Sequence, residues 1–275
     1  MPGLPIRTRG LVHIYHAEGH DVAALSGIDL DVTACEMVGL LGPSGSGKST
    51  LMSLLAGVLR PSAGKVFVGD TEVSAAQPRD LDRLRAREVG LMLQGAARNL
   101  LPNTTAADNV RFAQHPARRA GADLADPLEV LDDVGLADDA DRPLDELTPG
   151  GLQLAAVAVA ISTRPGLLLC DEPTSQLDHA ARDRVLAALA HVNTSYGTTV
   201  VLVTHDPDVA RVLPRTVTIR DGRIGGEGRS GEEYAVVTAD GFLPLPGHAR
   251  DRLPPGTLVR LHEVDDHFEL RAEEP

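Results

Sequence analysis

The chain has 275 residues, 26 of them basic and 39 acidic, and 43% are hydrophobic, enough for a packed core and against an acidic disordered chain. A net charge of −13 excludes broad nucleic-acid binding, which needs a cationic surface to release counterions from phosphates. Aromatic residues make up 3% and tryptophan is absent, so the stacking platforms of single-strand binders are missing too.

In chain order, residues 4–34 read as short strands, because Leu11, Val12, Ile14 and then Leu25, Ile28, Leu30 and Val32 alternate with polar residues across a turn-rich gap at 17–21. Residues 37–41 are a compact apolar run ending at Gly42, the pattern of a buried strand feeding a glycine loop. Leu51, Leu54, Leu55 and Val58 then recur at helical spacing, with Pro61 just beyond. Residues 66–68 and 89–93 are further strand candidates. From about 96 to 160 the texture is helical. Asp126 reads as an N-cap, with Pro127 at the first helical position and Glu129 three residues on. Leu128, Leu131 and Val134 form the apolar stripe of that helix, and Gly135 closes it. Strand texture returns at 167–170, 200–203 and 217–219. Alternating buried strands and helices imply an α/β core with a mostly parallel sheet. Residues 222–231 hold five glycines in ten and read as a linker, beyond which 232–275 alternate like strands. No internal repeat is present.

Cys35 and Cys170 suit neither a disulfide framework nor zinc or C-x-x-C spacing, and read as two buried small residues in a reducing compartment. No signal peptide follows Met1, and no run reaches the roughly 18 apolar residues that span a bilayer. The expectation is a soluble, cytoplasmic protein.

The strongest chemical signal is the run Gly42, Pro43, Ser44, Gly45, Ser46, Gly47, Lys48, Ser49, Thr50, a full match to G-x-x-x-x-G-K-[ST] between an apolar strand and an amphipathic helix. The glycines let consecutive N–H groups point at a β-phosphate, reinforced by the helix N-terminus. Lys48 supplies a point charge to the β- and γ-phosphates, and Ser49 a hydroxyl to Mg²⁺. Only Lys48 and Lys65 are lysines among the 26 cations, so lysine at this slot suggests a chemical requirement. The apolar residues 167–170 deliver Asp171 and Glu172 to the sheet's C-terminal edge, where α/β proteins bind ligands. Asp171 suits Mg²⁺, and Glu172 suits the general base that deprotonates the attacking water. Gln94 and His205 end two other strand candidates and fit the same site: Gln94 for the metal and the water, His205 for the γ-phosphate.

These motifs resemble the nucleotide-binding subunit of an ABC transporter over about residues 4–226. Lys48 and its loop match the Walker A motif, Gln94 the Q-loop, Asp171 and Glu172 the Walker B pair, residues 175–178 the D-loop, and His205 the switch histidine. Tyr15 matches the aromatic that stacks on adenine. Ala24-Leu25 and the run Asn99-Leu100-Leu101-Pro102-Asn103 resemble the lipoprotein-release, macrolide-export and cell-division branch. The resemblance implies a P-loop core with an N-terminal antiparallel β subdomain and an inserted helical subdomain. It also implies ATP and Mg²⁺ as ligands, ATP-dependent dimerisation, and an integral membrane partner reached from the inner face of the cell membrane. One motif departs from the pattern. Where the family has L-S-G-G-Q followed by an arginine, this chain has Leu147-Thr148-Pro149-Gly150-Gly151 and then Leu154. In the family this segment caps the γ-phosphate held by the opposite subunit. Thr148 and Gly150 keep their donors, while the Pro149 N–H, the glutamine and the arginine are lost. The expectation is a weakened cap, in a homodimer by preference or a heterodimer otherwise, with a weakly hydrolysing regulatory subunit as the alternative. A soluble ATP-operated switch would carry a coiled-coil insertion or a tandem cassette, and neither is present.

The expected organisation is an ATP-binding domain at 1–228, with a helical subdomain at about 96–160, and a β-rich extension at 229–275. In the extension, 257–261 and 267–271 read as strands joined by a turn at Asp265-Asp266. It resembles the swapped-hairpin domains of bacterial transition-state regulators, but acids outnumber arginines there, which favours dimerisation or regulation over DNA binding. His13, His16 and His20 read as a solvated edge and not a metal site. Asp132, Asp133, Asp138, Asp139 and Asp141 read as a solvated helical face, and 152–161 as helix core.

Overall fold

A computed structural model describes residues 2–17, 20–229 and 232–237, and within 241–272 all but 242, 246–248, 250 and 255. The N-terminal segment forms two long strands, where short ones were expected. β1 (Ile6–Ala17) runs antiparallel to β2 (His20–Val32), with Ile6 opposite Val32 and Tyr15 opposite Val22. β3 (Met37–Leu41) leads through the glycine loop into α1 (Lys48–Leu55). Leu51, Leu54 and Leu55 are buried as their spacing requires, but Val58 lies past the helix end and is 55% exposed. β4 (Ala63–Val68) pairs with β1, and β5 (Thr71–Glu72) with β4, completing a four-stranded antiparallel sheet. α2 (Pro78–Arg87) precedes β6 (Val89–Met92), which stops one residue short of the expected end and leaves Leu93 exposed.

The helical region holds α3 (Ala106–Arg119), α4 (Pro127–Asp133) and α5 (Pro149–Ile161). The Asp126 carboxylate accepts from the Leu128 N–H, Pro127 opens α4, and Gly135 takes φ 71°, so both ends form as the sequence indicates. Of the expected stripe in α4, Leu131 and Val134 are buried, while Leu128 is 52% exposed and Val130 is buried instead. α5 is buried almost all round, from Leu154 to Ile161, as a core helix.

The remaining elements are β7 (Leu167–Asp171), α6 (His179–Tyr196), β8 (Thr199–Val203), α7 (Pro207–Val212), β9 (Arg215–Arg220), β10 (Arg223–Arg229), β11 (Glu232–Ala235), β12 (Val259–Val264) and β13 (His267–Ala272). The main sheet has the order β11-β10-β9-β3-β8-β7-β6. Pairing from β9 through β3, β8 and β7 to β6 is parallel, and the β9-β10-β11 arm is antiparallel. β3, β7 and β8 are nearly continuous runs of buried Val and Leu because helices and the second sheet cover both faces.

Several expectations are corrected. The glycine-rich 222–231 is not a linker: 223–229 form β10, whose glycines sit in a ladder with β9 and β11, so the sheet runs across the boundary expected at 228/229. Cys170 is buried, but Cys35 is exposed in the turn before β3, at φ 65°. His13 is 8% exposed and belongs to the interior. Asp133 leaves the solvated face. Its carboxylate accepts from the Tyr196 hydroxyl at 2.5 Å and lies 3.6 Å from Arg164, whose guanidinium stacks over the Tyr196 ring. β12 and β13 form the expected hairpin around Asp265-Asp266, with Val259, Leu261, Phe268 and Leu270 exposed on one face. Much of 238–250 in the extension lies outside the described residues.

Candidate active site

Three strands of the parallel sheet end at one place. β3 ends at the glycine loop, β7 at Asp171, and β8 at Thr204 and His205. Gly42 takes φ 142°, and a Cβ there would lie 2.0 Å from the Ile219 carbonyl oxygen. Gly47 takes φ 100°, and its Cβ would lie 2.4 Å from the Ala24 carbonyl oxygen. Both positions therefore require glycine on conformation and on space. The loop curls around Lys48, which is 7% exposed and donates to the carbonyls of Gly42 (2.9 Å) and Pro43 (2.8 Å). Ser46 Oγ lies 3.4 Å from the same ammonium. Burial lowers the Lys48 pKa, and Glu172 and Asp171 partly offset that.

A cavity of about 700 Å³ opens on this loop. Residues 42–45 and 47–50 line its floor, and Tyr15 with Val22, Ala23 and Ala24 of β2 forms one wall. Gln94, Glu172 and His205 form the other wall. Glu172 follows β7 at φ 49°, a left-handed conformation that costs free energy for a non-glycine residue, and its N–H is held by the Val203 carbonyl at 3.1 Å. Its two carboxylate oxygens are engaged separately. Gln94 Nε2 donates to Oε2 at 2.8 Å, and His205 Nδ1 lies 3.2 Å from Oε1. Asp171 stands beside them. Its pKa is raised, first by burial and also by Glu172, against the pull of the Ser49 hydroxyl, Lys48 and Arg98.

Thus Tyr15, the loop, Gln94, Asp171, Glu172 and His205 come together as the sequence indicates. Thr148 and Gly150 do not line this cavity. They sit at the start of α5, where the Thr148 hydroxyl accepts from the Gly151 N–H at 3.1 Å and Pro149 takes the first helical position. A Cβ on Gly150 would lie 2.8 Å from the Ala181 Cβ, so glycine here lets α5 approach α6. Sequence reasoning missed the β2 wall and the Tyr15 hydroxyl, 3.2 Å from Thr50 Oγ1. Only the Tyr15–Val22 pairing of a hairpin register would have exposed that wall.

The donor set suits a magnesium nucleotide. Ser49, Gln94, Asp171 and Glu172 offer only oxygen ligands, which a hard cation prefers, and the lysine-lined loop suits polyphosphate. A strand-loop-helix phosphate cradle, with a carboxylate pair at the end of β7, separated from β3 in the sheet by β8, defines a P-loop nucleotide-hydrolysing protein.

Comparison with known proteins agrees. Residues 25–175 match the family described as ABC transporter. The macrolide export ATP-binding/permease protein of Rhodopirellula baltica is 37% identical over 227 residues, covering 82% of this chain and 33% of that protein. The chain thus spans a third of that relative. A lipoprotein-releasing system ATP-binding protein of Caulobacter vibrioides is 37% identical over 224 residues, covering 80% of this chain and 94% of that protein. Among solved structures, a dimeric ATP-binding cassette in a post-hydrolysis state, bound to ADP and Pi, superposes with a TM-score of 0.73 at 28% identity. That superposition covers 82% of this chain and 98% of the cassette. The chain belongs to the ABC transporter family, as its ATP-binding, ATP-hydrolysing cassette.

Proposed function

We propose that the chain is a peripheral subunit on the inner face of the cell membrane, where it hydrolyses Mg²⁺-ATP to drive a separate integral membrane subunit. The observation that carries the reading is the grip of Gln94 and His205 on both oxygens of Glu172, across the cavity from the phosphate loop. Tyr15 stacks the adenine, and the N–H groups of residues 42–50 hold the phosphates at the N-terminus of α1. Lys48 exchanges its loop acceptors for phosphate oxygens. Ser49, Gln94 and Asp171 would hold Mg²⁺, which when bound would offset charge developing on the phosphate oxygens. Glu172 takes the proton of the attacking water, oriented for it by Gln94 and His205. His205 then stabilises the transferring phosphoryl group.

Thr148 and Gly150 act across a dimer, capping the γ-phosphate held by a second copy. Their place outside the cavity supports this, as do the dimeric cassettes that the chain resembles. Among the described residues no helix is long and apolar enough to cross a membrane. A second reading, a weakly hydrolysing regulatory subunit of a heterodimeric or mechanotransmitting complex, is favoured by Pro149, which has no N–H to lend.

Light scattering on Glu172→Gln protein separates the two arrangements. A homodimer appears on adding Mg²⁺-ATP and reverts on its removal. ATP-bound protein that stays monomeric contradicts the homodimer and leaves the heterodimer.

A further inference from the structure

The wall behind Tyr15 carries a feature that hydrolysis does not use. His13 precedes Tyr15 by two residues on β1, so both side chains stand on one face of the strand. Their ring centroids are 4.7 Å apart with planes at 86°, an edge contact of the kind aromatic quadrupoles favour. Tyr15 is 43% exposed, whereas His13 is 8% exposed. At its far end Tyr15 is tied again, its hydroxyl 3.2 Å from Thr50 Oγ1 in the first turn of α1. A half-exposed tyrosine would otherwise spread over several rotamers, yet this ring is fixed at both ends.

His13 holds this place at a cost. Its Nδ1 is buried and has no hydrogen-bond partner among the described residues. An unpaired buried polar atom is unfavourable, and an aliphatic side chain would fill the same space without one. What the imidazole adds is the ring contact.

We propose that His13 is a positioning residue for nucleotide selection: with Thr50 it holds the Tyr15 ring in the orientation that stacks a purine base. The assignment rests on Tyr15 being the base platform. Fixing the ring beforehand removes the ordering cost that binding would otherwise carry, so the effect falls on affinity for base-bearing ligands and not on the phosphate chemistry.

Calorimetric titration with ADP and with inorganic pyrophosphate, which has no base, tests this. For His13→Leu, ADP affinity should fall about three- to tenfold, the scale of one aromatic pair, with pyrophosphate affinity unchanged. In turnover, KM for ATP should rise by a similar factor with kcat within about twofold. His13→Phe, which keeps a ring and removes the unpaired nitrogen, should bind ADP like the unmodified protein and melt no lower. If His13→Leu does not fold, His13→Gln provides the ringless variant. Tyr15→Ala is the reference and should lose about five- to hundredfold in ADP affinity. Unchanged ADP affinity in His13→Leu beside a weakened Tyr15→Ala overturns the inference alone. Equal losses for ADP and pyrophosphate in His13→Leu overturn it as well. An unweakened Tyr15→Ala overturns the base platform itself.

Discussion

Lys48 shows how one residue serves two states of the site. With carbonyls of its own loop as acceptors, the ammonium is held where burial lowers its pKa and the nearby carboxylates of Glu172 and Asp171 partly restore it. A polyphosphate offers it charged acceptors in place of neutral ones, which are worth more. Lys48→Ala should therefore lose about 10- to 100-fold or more in ATP affinity, the scale of a hydrogen bond to a charged group, as read by calorimetry. Retained affinity would count against the loop as the phosphate site. At this scale the sequence was highly legible. Walker-type spacing needs only local geometry, so Gly42 to Thr50, Asp171, Glu172, Gln94 and His205 all stand where their motifs put them. Residues whose surroundings depend on pairing across strands were not legible: His13 looked like part of a solvated edge, because nothing local encodes its neighbours.

Individual elements fix the site through close approach. β6 carries the chain to Gln94, and Gly90 within it packs directly on α5: a Cβ there would sit 2.2 Å from the Ala160 carbonyl oxygen. That contact is backbone and cannot swing aside. Gly90→Ala should cost about 1–3 kcal/mol, a drop of several degrees in Tm by calorimetry, the usual cost of overpacking. The antiparallel arm is held differently. Arg215, nearly buried, bonds Glu36 at 3.1 Å and Glu227 at 2.8 Å. Burial pushes both carboxyl pKa values up. Hydrogen bonds win and hold them below the ordinary range, from Thr33 and Arg215 at Glu36 and from Arg215 and Arg229 at Glu227. A depressed folded-state pKa gives stability that is present above the unfolded value of about 4.3 and is lost as pH falls through the folded values. Tm measured from pH 5 down to pH 3 should therefore fall less steeply in Arg215→Met than in the unmodified protein. Equal slopes would contradict this ion-pair network. The arm also marks where pattern reading failed: five glycines in ten residues signal a linker, yet β9 and β11 supply partners on both sides of β10, and pairing overrides local flexibility. In α4 a stripe counted from three apolar positions found Leu131 and Val134 of the buried side but took the exposed Leu128 where Val130 is buried.

For the whole molecule, the alternation of apolar strands with helices was enough to specify a parallel sheet, and the motif positions gave the direction of its ligand-binding edge. The sheet order was not encoded locally, because it depends on which crossovers pack. Two assemblies of groups result: a cavity lined by the phosphate loop, Gln94, Glu172 and His205, and a separate helix start at Thr148 that does not line it. The −13 charge fits the proposed function, in which polyphosphate would be held locally by backbone N–H groups and one lysine and not by a basic surface. The central claim is that this cavity hydrolyses ATP with Glu172 as base. Phosphate release from Mg²⁺-ATP, compared between the unmodified protein and Glu172→Gln at saturating nucleotide, tests it most directly. The expected result is steady turnover that falls by about 10²–10⁴ in Glu172→Gln while nucleotide stays bound. Equal phosphate release from the two proteins would contradict it.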